Sequence, residues 1–289
     1  MDNKTLKIKR FAKAYHSACM LELQALKPGN VHIFADGHGM TVQDFIKSAD
    51  ASALVISQAD LSVGERIFQS VATTQKAVGK NTNLGLILLC APLIHAAFSV
   101  NEQLNLQQSL ASSLGQLTSA DGLLAAQAIV LANPAGLGSV AEYDVHDQAE
   151  VTLSLMMQSA QDRDCIAWQY AHHFSDIFEF GLPRYAAALS KWQERAKTHS
   201  QAWAASALYL GFLARKLDSH IVRKHGELTA VKVMQEARAI GLEYWQADNP
   251  KLQQKALLAW DTSLKARNIN PGTSADLTVA CLLAYDLQA

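Results

Sequence analysis

The sequence predicts an all-α protein, a single compact domain over residues 1–289 made of about a dozen packed helices. Three observations predict it. Ala, Leu, Gln, Glu and Lys fill long segments in which apolar residues recur at helical spacing. No stretch sustains the two-residue alternation of β-branched side chains that marks a strand. Hydrophobic residues make up 49% of the 289 positions and charged residues 18%, enough apolar mass for a sizeable core and too little charge for disorder.

The elements follow in order. The first helix is expected over 4–26, because the periodicity runs unbroken from a basic start, and Met1 to Arg10 lacks the apolar core of a signal peptide. Thr41 and Asp44 form a capping-box-like pair ahead of a helix at 42–58, and a further helix spans 63–79. Asn83 can cap the most apolar helix, 84–100. That segment carries Pro92, which should kink it, and His95; it falls short of the roughly 20 residues that cross a bilayer and reads as a buried core helix. Helices at 106–117 and 120–132 come next, with Ser119 as the expected cap of the second and Asp121 in its first turn. The remaining expectations are 147–159, 162–180, 184–197, 200–217, 228–241, 247–266 and 274–287. Pro28, Pro134, Pro183, Pro250 and Pro271 all fall where helices end or begin. No low-complexity linker and no internal repeat divides the chain.

Composition excludes some functions. A formal net charge of -1 argues against broad capture of nucleic acid. Cys19, Cys90, Cys165 and Cys281 are scattered with no Cys-x-x-Cys, which fits a reduced cytoplasmic protein and argues against a zinc–cysteine site. No membrane partner is expected, and a homodimer is left open.

Several polar turns interrupt the apolar helices, and each has a plain structural reading beside a functional one. Lys27-Pro28-Gly29-Asn30-Val31-His32 terminates the first helix, since proline disfavours helical geometry at Lys27. It could also present Lys27 to a phosphate, with Glu22 on the same helix reaching the same turn. In Asn81-Thr82-Asn83-Leu84-Gly85 one Asn suffices for capping, and the surplus points toward a ligand. Asp121 sits at an apolar helix start, where a carboxylate caps the helix or complements its dipole. Pro134-Ala135-Gly136-Leu137-Gly138, followed by Glu142 and Asp144, is a loop by default. His172-His173 lies on an expected helix, where neighbours point about 100° apart and do not share a metal.

Leu217 to Gly226 carries the densest chemistry: Asp218 for magnesium, Arg223 and Lys224 for phosphates, against the alternative of a solvated connection. Arg267-Asn268-Ile269-Asn270-Pro271-Gly272-Thr273-Ser274-Ala275-Asp276-Leu277 turns into a helix start whose free N–H groups suit phosphate. There Thr273 and Asp276 also fit a capping pair.

Taken together, Lys27-Pro28-Gly29-Asn30-Val31, Asn81-Thr82 with Gly85, Asp218 in the basic connection, and Pro271-Gly272-Thr273-Ser274-Ala275-Asp276-Leu277 resemble the triphosphoribosyl-dephospho-CoA synthase family. These enzymes build the precursor of the prosthetic group of citrate lyase and malonate decarboxylase. The resemblance covers nearly the whole chain. It implies a helical fold and a reaction of ATP with 3'-dephospho-CoA, in which the ribose 2'-hydroxyl attacks C1 of the ATP ribose and adenine leaves. Magnesium should accompany the triphosphate.

It implies Asp218 and Asp276, then Glu22, for catalysis, and Asp218, Asp276 and Asp121 for metal. Phosphate and nucleotide fall to Lys27, Arg223 and Lys224, with Asn30, Asn81, Thr82, Asn83, Thr273 and Ser274 in support. Citrate-lyase-type members carry His-Lys after the Asn-Thr pair, whereas Asn83 and Leu84 stand here. That version resembles a separate branch associated with methanopterin-type cofactors, so a pterin-pathway acceptor is an alternative to dephospho-CoA. A nucleotide-binding helical protein without turnover is another. One shared site would require Asp276 near Asp218, Lys27 and the Asn81–Asn83 turn.

Overall fold

The computed structural model describes residues 2–133, 151–194, 196 and 199–288. The turn at Pro134–Gly138, Glu142, Asp144 and the start of the expected 147–159 helix lie outside the described residues.

The chain is all-α. The described residues form α1 (Asn3–Gln24), α2 (Val42–Ile56), α3 (Val63–Val78), α4 (Leu84–Ala97), α5 (Leu106–Gly115), α6 (Ser119–Ala132), α7 (Leu153–Ala160), α8 (Cys165–Ala171), α9 (Leu182–Trp192), α10 (Ser200–Arg215), α11 (Ser219–His225), α12 (Glu227–Gln246), α13 (Gln254–Ala266) and α14 (Gly272–Gln288). A π-helical segment, Asp176–Gly181, precedes α9, and a 3-10 turn, Pro250–Gln253, precedes α13. Among the described residues no strand forms; two isolated bridges, His32 to Ala35 and Gly37 to Met40, staple the segment after α1. No single helix among them is long and apolar enough to cross a membrane.

Two compact units are present, each assembled from separated stretches of chain. Unit I contains residues 1–17, 45–175 and 283–289, and unit II contains 18–44 and 176–282.

Unit II is built around α10. Every residue from Ala202 to Leu213 is buried, so this helix is covered on all sides. It packs on α9 and α12, and α11 packs on α12. Two differences from the sequence expectations arise here. The connection 217–226 contains α11, which seven residues rich in His, Arg and Lys conceal from a search for apolar periodicity. The expected helix 247–266 begins only at Gln254, after a 3-10 turn entered through Pro250.

Unit I is built around α4, in which all residues but Gly85 and His95 are buried, as the apolar run predicts; Pro92 lies inside it. The expected helix 162–180 is interrupted: α8 ends at Ala171, and His173 and Phe174 take positive φ values of 50° and 58°. His172 closes α8 and stacks on Trp168 with ring centroids 4.0 Å apart.

Side-chain caps set the helix starts. Thr41 and Asp44 bond as expected ahead of α2 (2.8 and 3.3 Å). The cap of α6 is Thr118, one residue before the expected Ser119, in a reciprocal box with Asp121. Asn83 precedes α4 but makes no side-chain cap; Asn81 Oδ1 accepts from Leu84 N–H (3.3 Å) instead, and Asn83 donates to Thr74 Oγ1 (3.1 Å). Thr82 shares a hydrogen bond with Ser48 (2.5 Å).

The tightest approach in this unit joins α3 and α6. The Gly64 N–H donates to Asp121 Oδ1 (2.7 Å), and a Cβ on Gly64 would stand 2.4 Å from Asp121 Cα and 2.8 Å from its carbonyl oxygen. Backbone cannot yield as a side chain can. Gly64→Ala should therefore cost about 3 kcal/mol through overpacking, read as a lowered midpoint in urea unfolding with an unchanged m-value.

Candidate active site

In unit II the site begins where α1 stops. Pro28 forbids continuation, and the Leu26 N–H donates to Ser206 Oγ on α10 (2.9 Å). Gly29 then takes φ +85°, a conformation that disfavours any Cβ. A Cβ would also stand 2.8 Å from Pro271 Cδ and 3.0 Å from Ile269 O, so the two polar turns touch at this glycine.

Lys27 lies wholly inside. Its ammonium donates to Glu22 Oε1, to Asn30 Oδ1 (2.8 Å) and to the Val31 carbonyl (2.7 Å). All three N–H groups are thereby occupied. Asn30 passes the chain of bonds on, donating from Nδ2 to Asn270 Oδ1 (2.7 Å). Burial pushes the Glu22 carboxyl up and the Lys27 ammonium down, each opposed by the other's charge. Lys27 therefore holds a turn in this structure and does not stand ready for a phosphate.

Asp261 anchors the same turn from α13. Oδ1 accepts from the Gly29 N–H (2.8 Å) and Oδ2 from Lys265 Nζ (3.0 Å). His32, also fully buried, accepts from Phe34 N–H at Nδ1 (3.3 Å) and brings Nε2 to 3.3 Å from Asp261 Oδ1, off the line of a good hydrogen bond. Burial raises the Asp261 pKa, but His32, Gly29 and Lys265 together outweigh it and leave the carboxyl below its ordinary value. Tyr209 of α10 donates its hydroxyl to the Pro28 carbonyl (2.7 Å). Burial, then the charges of Asp218, Asp261 and Glu22, push that phenol up, which places all three carboxylates in electrostatic reach of one ring.

Asp218 is buried and caps two helices. Oδ1 accepts from His220 and Ile221 N–H (3.0 and 3.2 Å) at the start of α11; Oδ2 accepts from Ser274 N–H and Oγ–H (both 2.8 Å) at the start of α14. Thr273 is not the cap expected from sequence. Its Oγ1 accepts from His220 N–H (3.2 Å) and bonds Ser219 Oγ (3.0 Å), because Asp218 has already taken the α14 amide. Burial raises the Asp218 pKa in spite of the donors around it.

Unit II thus gathers Glu22, Lys27, Asn30, Asp218, Thr273 and Ser274, with Arg223 and Lys224 on α11. Asp276 belongs here too: it is half-buried in the first turns of α14, and its charge acts on Lys27. Asn81, Thr82, Asn83 and Asp121 belong to unit I, where each has the partners given above or, for Asp121, four donors: Gly64, the Thr118 N–H and hydroxyl, and Ser62. Burial would raise the Asp121 pKa; these bonds bring it below the ordinary value.

Tyr209, Asp261 and His38 escaped the sequence reading, and His32 and Asn270 lay in the turns it singled out without being given a role. A signal existed for Asp261: it falls with Leu257, Trp260 and Leu264 on the buried stripe of α13, an unusual place for a carboxylate.

Among the described residues no three His, Cys, Asp or Glu side chains gather into a metal-holding group. Magnesium needs fewer, since it keeps waters and takes one or two carboxylates plus substrate phosphates. The oxygens of Asp218 and Asp121 already hold N–H and O–H donors.

A sequence model of the ATP:dephospho-CoA triphosphoribosyl transferase family matches residues 8–289, and the chain belongs to that family. The crystal structure of a proposed triphosphoribosyl-dephospho-CoA synthase from Archaeoglobus fulgidus shares the fold, with a TM-score of 0.62 and 21% identity over 82% of this chain and 96% of the other. No curated protein sequence matches the chain.

Two outcomes test the cage. Lys27→Met leaves Glu22 buried without its cation and should cost about 3–5 kcal/mol, much of which Lys27→Met with Glu22→Leu should restore; chemical denaturation of both measures it. The depressed folded pKa of Asp261 means that its stabilisation is complete above the ordinary carboxylate range and is lost as pH falls through the folded value. Asp261→Asn should be less stable than wild type by about 1–3 kcal/mol at neutral pH, with the gap closing below about pH 4.

Proposed function

We propose that the protein transfers the triphosphoribosyl group of ATP to the ribose 2'-hydroxyl of 3'-dephospho-CoA. The hydroxyl oxygen forms the new bond to C1 of the ATP ribose, the bond from C1 to adenine breaks, the hydroxyl proton passes to a base, and adenine leaves with a proton of its own. The observation that carries this reading is the family match along residues 8–289, which spans every segment of the unit II cluster.

Such a transfer passes through a state with oxocarbenium character, which a nearby carboxylate stabilises. Asp276 is the acid we assign to that region, because it is half-buried in the first turns of α14 and its charge acts on Lys27. Glu22, bonded to Lys27, orders the turn. Bound magnesium would offset charge on the triphosphate, and Asp276 is the residue we assign to hold it. Arg223 and Lys224 are the cations we assign to phosphate.

A second acceptor is favoured by one observation. Where citrate-lyase-type members carry His-Lys, this chain has Asn83 and Leu84, both buried. A pterin-pathway acceptor used with the same donor fits that difference.

Purified protein with ATP, magnesium and dephospho-CoA should release free adenine, seen by liquid chromatography. Release only with a pterin-pathway acceptor would replace the acceptor; release with neither would end the transferase reading. Asp276→Asn should slow release by about 100-fold or more with little change in melting temperature.

A further inference from the structure

Arg184, in the first turn of α9, belongs to none of the polar turns described above. It is half-buried, and its Nε–H donates to the Ala207 carbonyl of α10 (2.8 Å). Its Cζ stands 4.5 Å from the centre of the Trp245 ring on α12 and 5.9 Å from that of Phe180, in the π-helical segment before α9. Both ring faces attract a cation at such distances. The side chain also fills a notch at Gly211, where a Cβ would stand 2.4 Å from Arg184 Nε, 2.6 Å from its Cδ and 3.0 Å from Phe180 Cζ. Glycine inside a helix is destabilising relative to alanine, so α10 keeps an unfavourable residue where the arginine enters. Ala207 and Gly211, four apart, share one side of α10; Ser206 and Tyr209, which hold the Lys27 turn, stand on the other.

Stapling α9 to α10 and α12 accounts for the Nε–H and for the faces of the group. It leaves the rest of the fork. A guanidinium has five N–H donors, and among the described residues Arg184 uses one of them. Burial holds its pKa below the ordinary value, and no carboxylate among the described residues opposes that shift. Asp176, at the start of the π-helical segment, accepts from Lys216 Nζ (2.8 Å) and lies 3.4 Å from Arg215 Nε, so it does not neutralise Arg184. Lys191 adds a further cation: its Nζ lies 5.5 Å from the Trp245 ring centre and donates to the Trp245 carbonyl. A partly desolvated cation with idle donors is unfavourable unless an anion completes it. The open edge of a guanidinium offers two parallel N–H bonds to two oxygens of one group.

We propose that Arg184, aimed by the Gly211 notch and the Trp245 ring, is a binding site for one oxyanion, the two-oxygen face of a carboxylate or a phosphate on a small molecule. Arg184 is assigned no part in the transfer proposed above, and the site stands or falls independently of that reading.

The test uses the full chain and phenylglyoxal, which modifies guanidinium groups, with the adducts mapped by mass spectrometry. Arg184 should be labelled in chloride buffer. Inorganic phosphate or, in a separate arm, acetate at matched ionic strength should slow that labelling by about tenfold when the anion is at roughly ten times its dissociation constant. Arg238, exposed on α12, is the reference and should react at an unchanged rate. Protection by only one of the two anions supports the site and names its ligand as phosphate or carboxylate. Gly211→Ala, verified as folded by thermal melting, should weaken the apparent affinity by about tenfold, because its Cβ displaces Arg184 Nε. The wild-type arms decide the matter whether or not that variant folds. No labelling of Arg184 in chloride means that its donors are closed off and overturns the proposal. So do labelling that neither anion slows, equal slowing at Arg184 and Arg238, and a folded Gly211→Ala protected like wild type.

Discussion

The arrangement of unit II depends on one buried ammonium. Lys27 has no route to water, so its charge is tolerable only if each N–H finds an oxygen. Glu22, Asn30 and the Val31 carbonyl are those oxygens, and meeting them forces the chain into the tight turn at Pro28–Val31. The turn in turn fixes where the Gly29 N–H points, which sets the position of Asp261. It also fixes where the Gly29 and Pro28 carbonyls point, toward His38 and Tyr209. Asn30 carries the constraint to Asn270, on the turn that leads into α14. A hydrophobic residue at position 27 would strand the buried Glu22 without its cation and leave the turn with no reason to adopt this shape.

Asp121 and Asp218 are the same device used once in each unit. Both are carboxylates at a helix start, and both reach across to the start of a second helix: Asp121 to Gly64 of α3, Asp218 to Ser274 of α14. A helix start leaves N–H groups unpaired, and one carboxylate with two oxygens can serve two such ends at once. The result is a junction fixed by charge and geometry without a large apolar contact. The two differ in net pKa direction: burial wins at Asp218, hydrogen bonding wins at Asp121.

The fold was legible because it is written in periodicity. Long apolar stripes located most helices to within a few residues, and α4 announced itself as a core helix by its composition alone. The failures have local causes. The short, polar α11 has no apolar stripe long enough to register, and the expected 162–180 helix breaks at two residues with positive φ that carry no glycine to signal it. Of the site, residue types were legible but roles were not. Lys27 and Asp218 sit in turns of the composition that ligand sites use, and only their surroundings reveal donors and acceptors already matched within the chain. Asp261 and Tyr209 had to be found in space, because their partners are Gly29 and Pro28, more than 180 positions away for each.

Those separations also impose an order of events in the cell. Asn30 and Asn270, which bond in the finished protein, are 240 residues apart. At about 5–20 residues per second, the ribosome needs about 10–50 s to deliver the second after the first. During that interval the Lys27 turn has Glu22 and Asn30 but lacks its Asp261 and Asn270 braces, and the histidine of the 33–41 segment lacks Asn268. The Lys27 turn is therefore completed only once residues 261–270 have been made, and a nascent chain halted before Asp261 holds α1 to α12 but only the first part of this site.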